Sequence, residues 1–472
     1  MNNLIYYIFA ACSLLLLSNE LTAQEPITFE RYYSDSGAVE GRRVRQTFDG
    51  GYIVAGRRNA FATFFSNDAI LMKTDSMGDV EWLKVYGTRT GDDWFNDVQQ
   101  TADSGYIACG FIPQSGMQDN IYVVKTDKNG DTLWTRAWGS SRYDIARSVQ
   151  ETYDGGYIVA GQWDTTGILL RLNSLGDTIW AKLFYDGYVS FYSVSETADS
   201  GFVATGVLNA NHLGLNLEVY VVRVDKNGNT LWEKNYGYVD ADYGFSVKTL
   251  PDGSFLVGGY SFQGFTDYDS YLLKLNEYGD TIWTKTYSDP RENGIVEIAI
   301  NQDGSLAFAE AKSVIGMSYQ FSILKTDTFG NFLWRTEFGG GGADYIYGIS
   351  RCADGGFVVC GMLGINTSDY LYLIKTNTEG IVSHINNIED IKNSINIYPN
   401  PFKNNLNIDL KDFPSENCTL EIFNYSGVSV YRNSILGGAN IKINALGYLP
   451  TGTYFLSIKN NYENYIIPIV HN

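Results

Sequence analysis

The chain has 472 residues, 18% of them charged and 15% aromatic, with 49 Gly and 35 Tyr; this balance excludes a disordered polymer and suits many short strands joined by tight turns. A formal charge of -19 excludes nucleic acid and anionic membranes as partners held by charge; it favours cations or basic partners, or serves solubility alone. Residues 395–472 hold five acidic and five basic side chains, so the excess of acid belongs to the rest of the chain.

Leu4 to Leu17 form an apolar run, followed by Ser18, Asn19 and Glu20 and then Leu21-Thr22-Ala23 before Gln24. This predicts an export signal over 1–23, too short to cross a bilayer and leaving no transmembrane span in the mature chain. Cys12 offers a lipidation reading, against which the apolar run continues through Leu17. Beyond the signal, Cys109, Cys352, Cys360 and Cys418 are too few for a disulfide scaffold. Cys109 and Cys360 stand where other copies of a repeat carry Ala55, Ala160 and Thr205, which reads as a small buried position.

The repeat turns on Asp49, Asp103, Asp154, Asp199, Asp252, Asp303 and Asp354, at intervals of 54, 51, 45, 53, 51 and 51 residues. Each Asp-Gly or Asp-Ser turn joins two short strands, as in Arg147 to Thr152 and Tyr157 to Gly161. A third and a fourth strand follow about a second turn, as in Ile121 to Lys125, Asp127-Lys128-Asn129-Gly130-Asp131, and Thr132 to Arg136. Four strands per unit, here a to d, predict an all-β, seven-bladed β-propeller over 24–382. Trp134, Trp232, Trp283 and Trp334 each precede the next turn Asp by 20 residues, and Phe29 precedes Asp49 by the same 20. Ile27 to Tyr33 is thus a d strand without its own a, b and c. The seventh unit carries His384 where a Trp would fall, so the orphan strand is expected to complete the last blade. The recurring Trp side chains, Trp82 and Trp180 included, are expected to pack between blades.

Chemistry is harder to place. His212, His384 and His471 are scattered, and no metal set or Ser-His-Asp arrangement follows from them; no cofactor is expected. The Asp127 to Asp131 turn resembles the front of a calcium loop without its closing Glu, and fits an Asx turn as well. Asp93, Asp144, Asp242 and Asp344 stand 10 residues before the hairpin turn, where the chain passes from outer d strand to inner a strand. Two readings stay open for them: a cation or basic-partner site at the channel mouth, or hydrogen bonds within their own loops. The b-to-c loops vary in length and carry Phe61, Phe64, Phe65, Trp163, Phe262, Phe265 and Tyr268. These aromatics either stack on a sugar or protein ligand or pack down on the blade tops.

The Asp154 to Gly161 run, Asp-Gly-Gly-Tyr-Ile-Val-Ala-Gly, resembles propeller repeats of large secreted Bacteroidetes proteins. Asp127 to Trp134 is also similar to the Trp-docking repeat of pyrroloquinoline-quinone dehydrogenases, although no distinctive motif for that family's calcium site or catalytic base stands here. After a polar linker over 383–394, strand-like runs at Leu406 to Leu410, Leu420 to Asn424, Val428 to Tyr431, Tyr454 to Ile458 and Ile466 to Val470 predict a small β-sandwich over 395–472. Tyr398-Pro399-Asn400-Pro401, the run ending Ser426-Gly427, and Gly452-Thr453-Tyr454 resemble the type A C-terminal sorting domain of the type IX (Por) secretion system. That resemblance implies the secretion machinery as a partner and an extracellular or outer-membrane-surface address. The closing run contains Pro468, which removes a ladder donor and predicts an edge strand. The sequence reads as a monomeric, secreted binding or scaffold propeller with an extracellular glycan or protein ligand; the alternative is a propeller lyase or glycoside hydrolase acting on polysaccharide.

Overall fold

The computed structural model describes residues 27–382 and 396–472 except 35–37, 60–66, 89–90, 115–117, 141, 186, 210–216, 238–240, 263–267, 290–292, 315–317, 340–343, 366–367, 411–416, 425–427, 437–439, 445 and 460–463. The expected signal and linker, and Phe61, Phe64, Phe65, Phe265, Gly427, His212 and His384, lie outside the described residues. Seven four-stranded antiparallel sheets make the repeat region. The first blade shows the pattern: a is Val39–Gln46, b Tyr52–Asn59, c Asn67–Thr74 and d Val80–Tyr86.

Local chemistry sets each turn. Between a and b, Thr47 N–H bonds the Gly51 carbonyl while Thr47 Oγ1 and Gly51 N–H donate to Asp49. The residue after that Asp is left-handed: Gly50 at φ 85° and Gly155 at 78°, but Ser104 at 67° and Ser200 at 61° in the two Asp-Ser copies. Between c and d, Asp127 Oδ1 accepts from Asn129 N–H and Asp131 N–H, both at 2.8 Å. Asn173 and Asn276 make the same two contacts with an amide oxygen, so the turn is an Asx turn whether or not its first residue carries charge.

The core lies between blades. One apolar cluster fills each junction, such as Ile53, Leu71, Phe95 and Val124 between the first two blades. The b and c strands are therefore buried on both faces and read as unbroken apolar runs rather than alternating ones. Each d-strand Trp crosses to the next blade and rests on the Gly of its c-to-d turn: Trp82 on Gly130, Trp134 on Gly176, Trp180 on Gly228, Trp232 on Gly279. A Cβ at Gly130 would lie 2.8 Å from Trp82. The Trp edge also meets the first aromatic of the next b strand, as with Trp134 and Tyr157 at 5.8 Å.

The amino-terminal strand closes the ring. Phe29–Tyr33 pairs antiparallel with Ser368–Thr376, with Phe29 opposite Lys375 and Arg31 opposite Leu373. It reproduces the joint in detail. Phe29 sits against Gly78 and meets Tyr52 at 5.6 Å, as each Trp does elsewhere. Tyr33 OH donates to the Gly78 carbonyl at 2.6 Å, as Tyr86 OH does to Gly130 and Tyr287 OH to Gly330, both at 2.7 Å.

The carboxy-terminal unit has two sheets. One has three strands, Asn396–Tyr398, Leu406–Asp409 and Asn440–Ile443; the other has four, Ser429–Leu436, Asn417–Asn424, Gly452–Lys459 and Asn464–His471 in spatial order. Leu406, Ile408 and Ile443 of the first share one core with Leu420, Ile422, Leu456 and Ile458 of the second, which makes a sandwich. The strand bearing Pro468 is an edge strand, as its missing donor requires.

Candidate ligand-binding channel and its mouth

The seven a strands line the central channel, and each contains a β-bulge. The extra residue is Arg42, Asn96, Arg147, Tyr192, Phe245, Val296 or Tyr347 in successive blades. A bulge bends its strand and re-aims a side chain. Here the bulge residues and their neighbours meet from blade to blade. Arg42 lies 4.2 Å from the Tyr347 ring and 4.6 Å from Trp94, and Arg57 covers Trp94 at 4.2 Å. Asn96 donates to the Ala146 carbonyl at 2.8 Å. Arg147 stacks on Tyr192 at 4.6 Å and Tyr192 meets Phe245 at 4.9 Å. Phe245 continues to Tyr243 and Tyr260, and Tyr260 to Tyr268 at 4.9 Å. Trp94, Tyr192, Tyr243, Phe245, Tyr260 and Tyr347 are all partly exposed. Tyr260 stands at the end of a b strand beside the b-to-c loop, and the others on the half of an a strand that follows the d-to-a loop, all on the side of the variable loops.

One residue further along each a strand lies a second ring, Arg43, Asp97, Ser148, Ser193, Ser246, Glu297 and Gly348. Its oxygens accept backbone N–H groups of the next blade: Asp97 from Val149 at 3.1 Å, Ser193 from Val247 at 3.1 Å, Ser246 from Ile298 at 3.2 Å and Glu297 from Ile349 at 2.8 Å. At the closure Gly348 has no side chain, and Arg43 Nη1 donates to the Tyr347 carbonyl instead. Arg43 also pairs with Glu297 at 3.0 Å and Asp97 at 3.4 Å, and Arg45 with Glu297 at 2.9 Å. Burial alone would raise the Glu297 carboxyl, but Arg43, Arg45 and Lys248 overcome it and hold the group down at about 2. Around these residues the channel encloses a cavity of 160 Å³.

The four aspartates anticipated at the channel mouth are wholly buried within their own blades. Asp144 Oδ1 accepts from Asp164 N–H at 2.8 Å, Asp242 Oδ1 from Phe262 N–H at 3.2 Å and Asp344 Oδ1 from Gly364 N–H at 3.1 Å. Each thus ties its d-to-a turn to the start of its b-to-c loop. Asp93 breaks the pattern because the residue 20 positions on is Pro113, which has no N–H. Asp93 Oδ1 is buried without a hydrogen-bond partner. Burial, opposed by Thr88 and reinforced by Asp68 and Asp92, pushes this carboxyl up to about 7.

Of the loop aromatics that are described, Phe262 and Tyr268 pack on each other at 4.8 Å and Trp163 packs against the apolar cluster of the second and third blades. All three are partly buried. Tyr268 joins the mouth cluster through Tyr260; Trp163 does not. The bulge arginines and aromatics escaped the sequence reading because a bulge shows only against its partner strand. The signal present was a run of unlike residues, Arg42, Asn96, Arg147, Tyr192 and Phe245, at a fixed offset before each turn Asp.

Residues 396–472 match the family described as a secretion system C-terminal sorting domain. This segment is the sorting domain. It carries the protein through the type IX secretion system to the cell surface or the extracellular space. Within it, Tyr398 is exposed, Asn400 Oδ1 accepts from Val470 N–H at 2.8 Å, and Tyr454 OH donates to the Pro450 carbonyl at 2.8 Å. No curated protein matches the chain. Among solved structures it is similar to the Neurospora crassa Pan2 WD40 domain, with 10% identity, 74% of this chain and 92% of that one covered, and a TM-score of 0.46. A Dyadobacter fermentans protein of unknown function gives 9% identity, 75% and 100% coverage and a TM-score of 0.46. YCF48 bound to D1 peptide gives 10%, 74%, 95% and 0.46.

Proposed function

We propose that the protein is an exported binding module, probed by its ligand at the loop-bearing mouth of the propeller channel. The observation that supports this most is the band of partly exposed aromatic and arginine side chains running from Tyr347 through Arg42 and Trp94, and from Arg147 through Tyr192 to Phe245 and Tyr268. Rings and guanidinium planes on a rigid ring suit sugar faces or protein side chains, because little conformational entropy remains to be lost on binding. Phe61, Phe65, Phe262 and Phe265 join the same proposal on sequence grounds, with 1–23 as export signal, 24–382 as binding unit, 383–394 as linker and a monomeric mature form.

The competing reading of a glycoside hydrolase needs a carboxyl kept protonated near the mouth. Asp93 is raised to about 7 but is wholly buried against its own loop, while in the channel Glu297 is displaced in the opposite direction and Asp97 is bound to Arg43 and to backbone N–H groups. The test is a screen of surface glycans and surface proteins against the whole exported chain, repeated with Trp94→Ala and Tyr243→Ala. Retention of a ligand that weakens by roughly 10-fold in either variant is the expected result. Equal retention in all three proteins would remove the mouth aromatics as the site.

A further inference from the structure

The oxygens of the channel ring are already engaged, and this decides what faces the cavity. Ser193 and Ser246 Oγ accept N–H groups of the next blade, and lower in the channel Gln99 Oε1 accepts Glu151 N–H at 2.7 Å and Gln150 Oε1 accepts Glu196 N–H at 2.9 Å. The carboxylates of Asp97 and Glu297 are occupied by Arg43, Arg45 and backbone N–H groups. The donors left on the cavity side are serine hydroxyl hydrogens, the amide NH₂ groups of Gln99 and Gln150, and the Lys248 ammonium. Lys248 Nζ lies 3.9 Å from Glu297, too long for a tight ion pair, and its side chain keeps 31% of its exposure. Arg43, Arg45 and Lys248 face two carboxylates, so one positive charge is left over in a chain that is otherwise strongly acidic.

We infer that this cavity is a binding site for one carboxylate carried on a hydroxylated group, the chemistry of a uronic acid. A single surplus charge matches a singly charged carboxylate at Lys248, whereas a dianion would leave the site negative. The amides of Gln99 and Gln150 and the serine hydroxyls suit the hydroxyls of such a group. The cavity of 160 Å³ takes the carboxylate-bearing end of one such unit. The site lies toward the a-to-b turns; Phe245 lines its upper end, and Trp94, Tyr243 and Tyr347 of the mouth do not line it.

Isothermal titration calorimetry on the whole exported chain with galacturonate, its trimer and neutral galactose tests this. The acid should bind at least about 10-fold more tightly than galactose, Lys248→Met should abolish that preference, and Lys248→Arg should keep it. Binding of the trimer alone would mark a polysaccharide end as the source, and binding of the monomer a free acid. Equal binding of acid and neutral sugar, no binding of either acid, or an unchanged preference in Lys248→Met would overturn the inference. Should Lys248→Met fail to fold, Gln99→Glu places a negative charge in the cavity and must abolish acid binding; retained binding would equally overturn it. Trp94→Ala, which tests the mouth, should leave galacturonate affinity unchanged.

Discussion

The joints between blades and the lining of the channel obey opposite rules. At the joints the same parts recur, a d-strand ring on a turn glycine and, in six of the seven blades, an aromatic at the head of the next b strand; within the blades a turn aspartate pairs with a c-strand cation. That last pair is Lys73 with Asp49, Lys125 with Asp103, Arg171 with Asp154, Arg223 with Asp199, Lys274 with Asp252 and Lys375 with Asp354. In the channel, structurally equivalent positions carry Arg43, Asp97, Ser148, Glu297 and Gly348, so charge, hydroxyl and bare backbone alternate where the joints repeat one part. A repeat keeps what every blade needs to pack and frees what only the assembled ring can use.

Breaking a joint should therefore cost most. Deleting Ile27 to Ser34 removes the closing strand, exposes the c strand of the last blade and uncovers Leu371 and Leu373; cooperative thermal unfolding should be lost or fall further than for any point variant. Phe29→Ala, which truncates a ring only 6% exposed, should cost about 3–5 kcal/mol by denaturant unfolding.

In the channel, Glu297→Gln leaves Arg43 and Arg45 short of a counter-charge and should cost about 3 kcal/mol at neutral pH. The folded carboxyl sits near 2, below its ordinary value of about 4.3, so the stability it contributes is complete above that ordinary value and is lost as pH falls through about 2. The variant should lack this acid limb in a stability-against-pH profile.

Asp93 has the reverse sign. Its folded value near 7 exceeds the unfolded one, so the folded chain holds this proton more tightly; the contribution is complete below about pH 4 and disappears as pH rises through 7. Pro113→Ala restores the N–H that the equivalent residues Asp164, Phe262 and Gly364 donate elsewhere. It should stabilise the chain by about 1 kcal/mol at pH 8 and lower the Asp93 pKa, which carboxyl NMR titration would read. The smallest expected gain is at the joints' own turns: Ser104→Gly and Ser200→Gly relieve left-handed residues and should each add about 0.5–1 kcal/mol.

Blade six shows where a local exception hides a network. The b strands carry glycine opposite the bulged stretch of a, where a Cβ at Gly56 would lie 1.8 Å from the Glu40 carbonyl oxygen. The sixth blade has Glu310 there, wholly buried, taking Ser270 at 2.7 Å, Ser322 at 2.8 Å and Arg335 at 2.8 Å. Lys312, also buried, reaches Asp289 and Glu337 nearby. The change of Ala-Gly to Ala-Glu-Ala-Lys was visible in the chain, but its partners come from four separate strands and loops.

Much of the architecture was legible because it is local and repeated. Turn chemistry, strand length and the spacing of 19 to 21 residues from Phe29 or a Trp to the next Asp depend only on neighbours in sequence, and a feature required in every blade is written in every copy. The site was less legible. Asp93, Asp144, Asp242 and Asp344 have the right spacing for a mouth, but the side chains turn into their own loops, because each buried d-to-a turn needs an acceptor for a loop N–H. Tyr268 could be found as a loop-end aromatic; Arg42, Trp94 and Tyr347 could not, since the stack spans the seam between the first and last blades.

By itself, then, the order of residues determined the number of blades, the strand that closes them, the inter-blade rings and the sorting domain at the end, all of which follow from short-range pattern and burial. Only the tertiary structure decided where charge accumulates, because Arg43 meets Glu297 and Tyr347 only once the ring is shut. Interactions between residues hundreds of positions apart leave no periodic trace, and it is these that shape the channel.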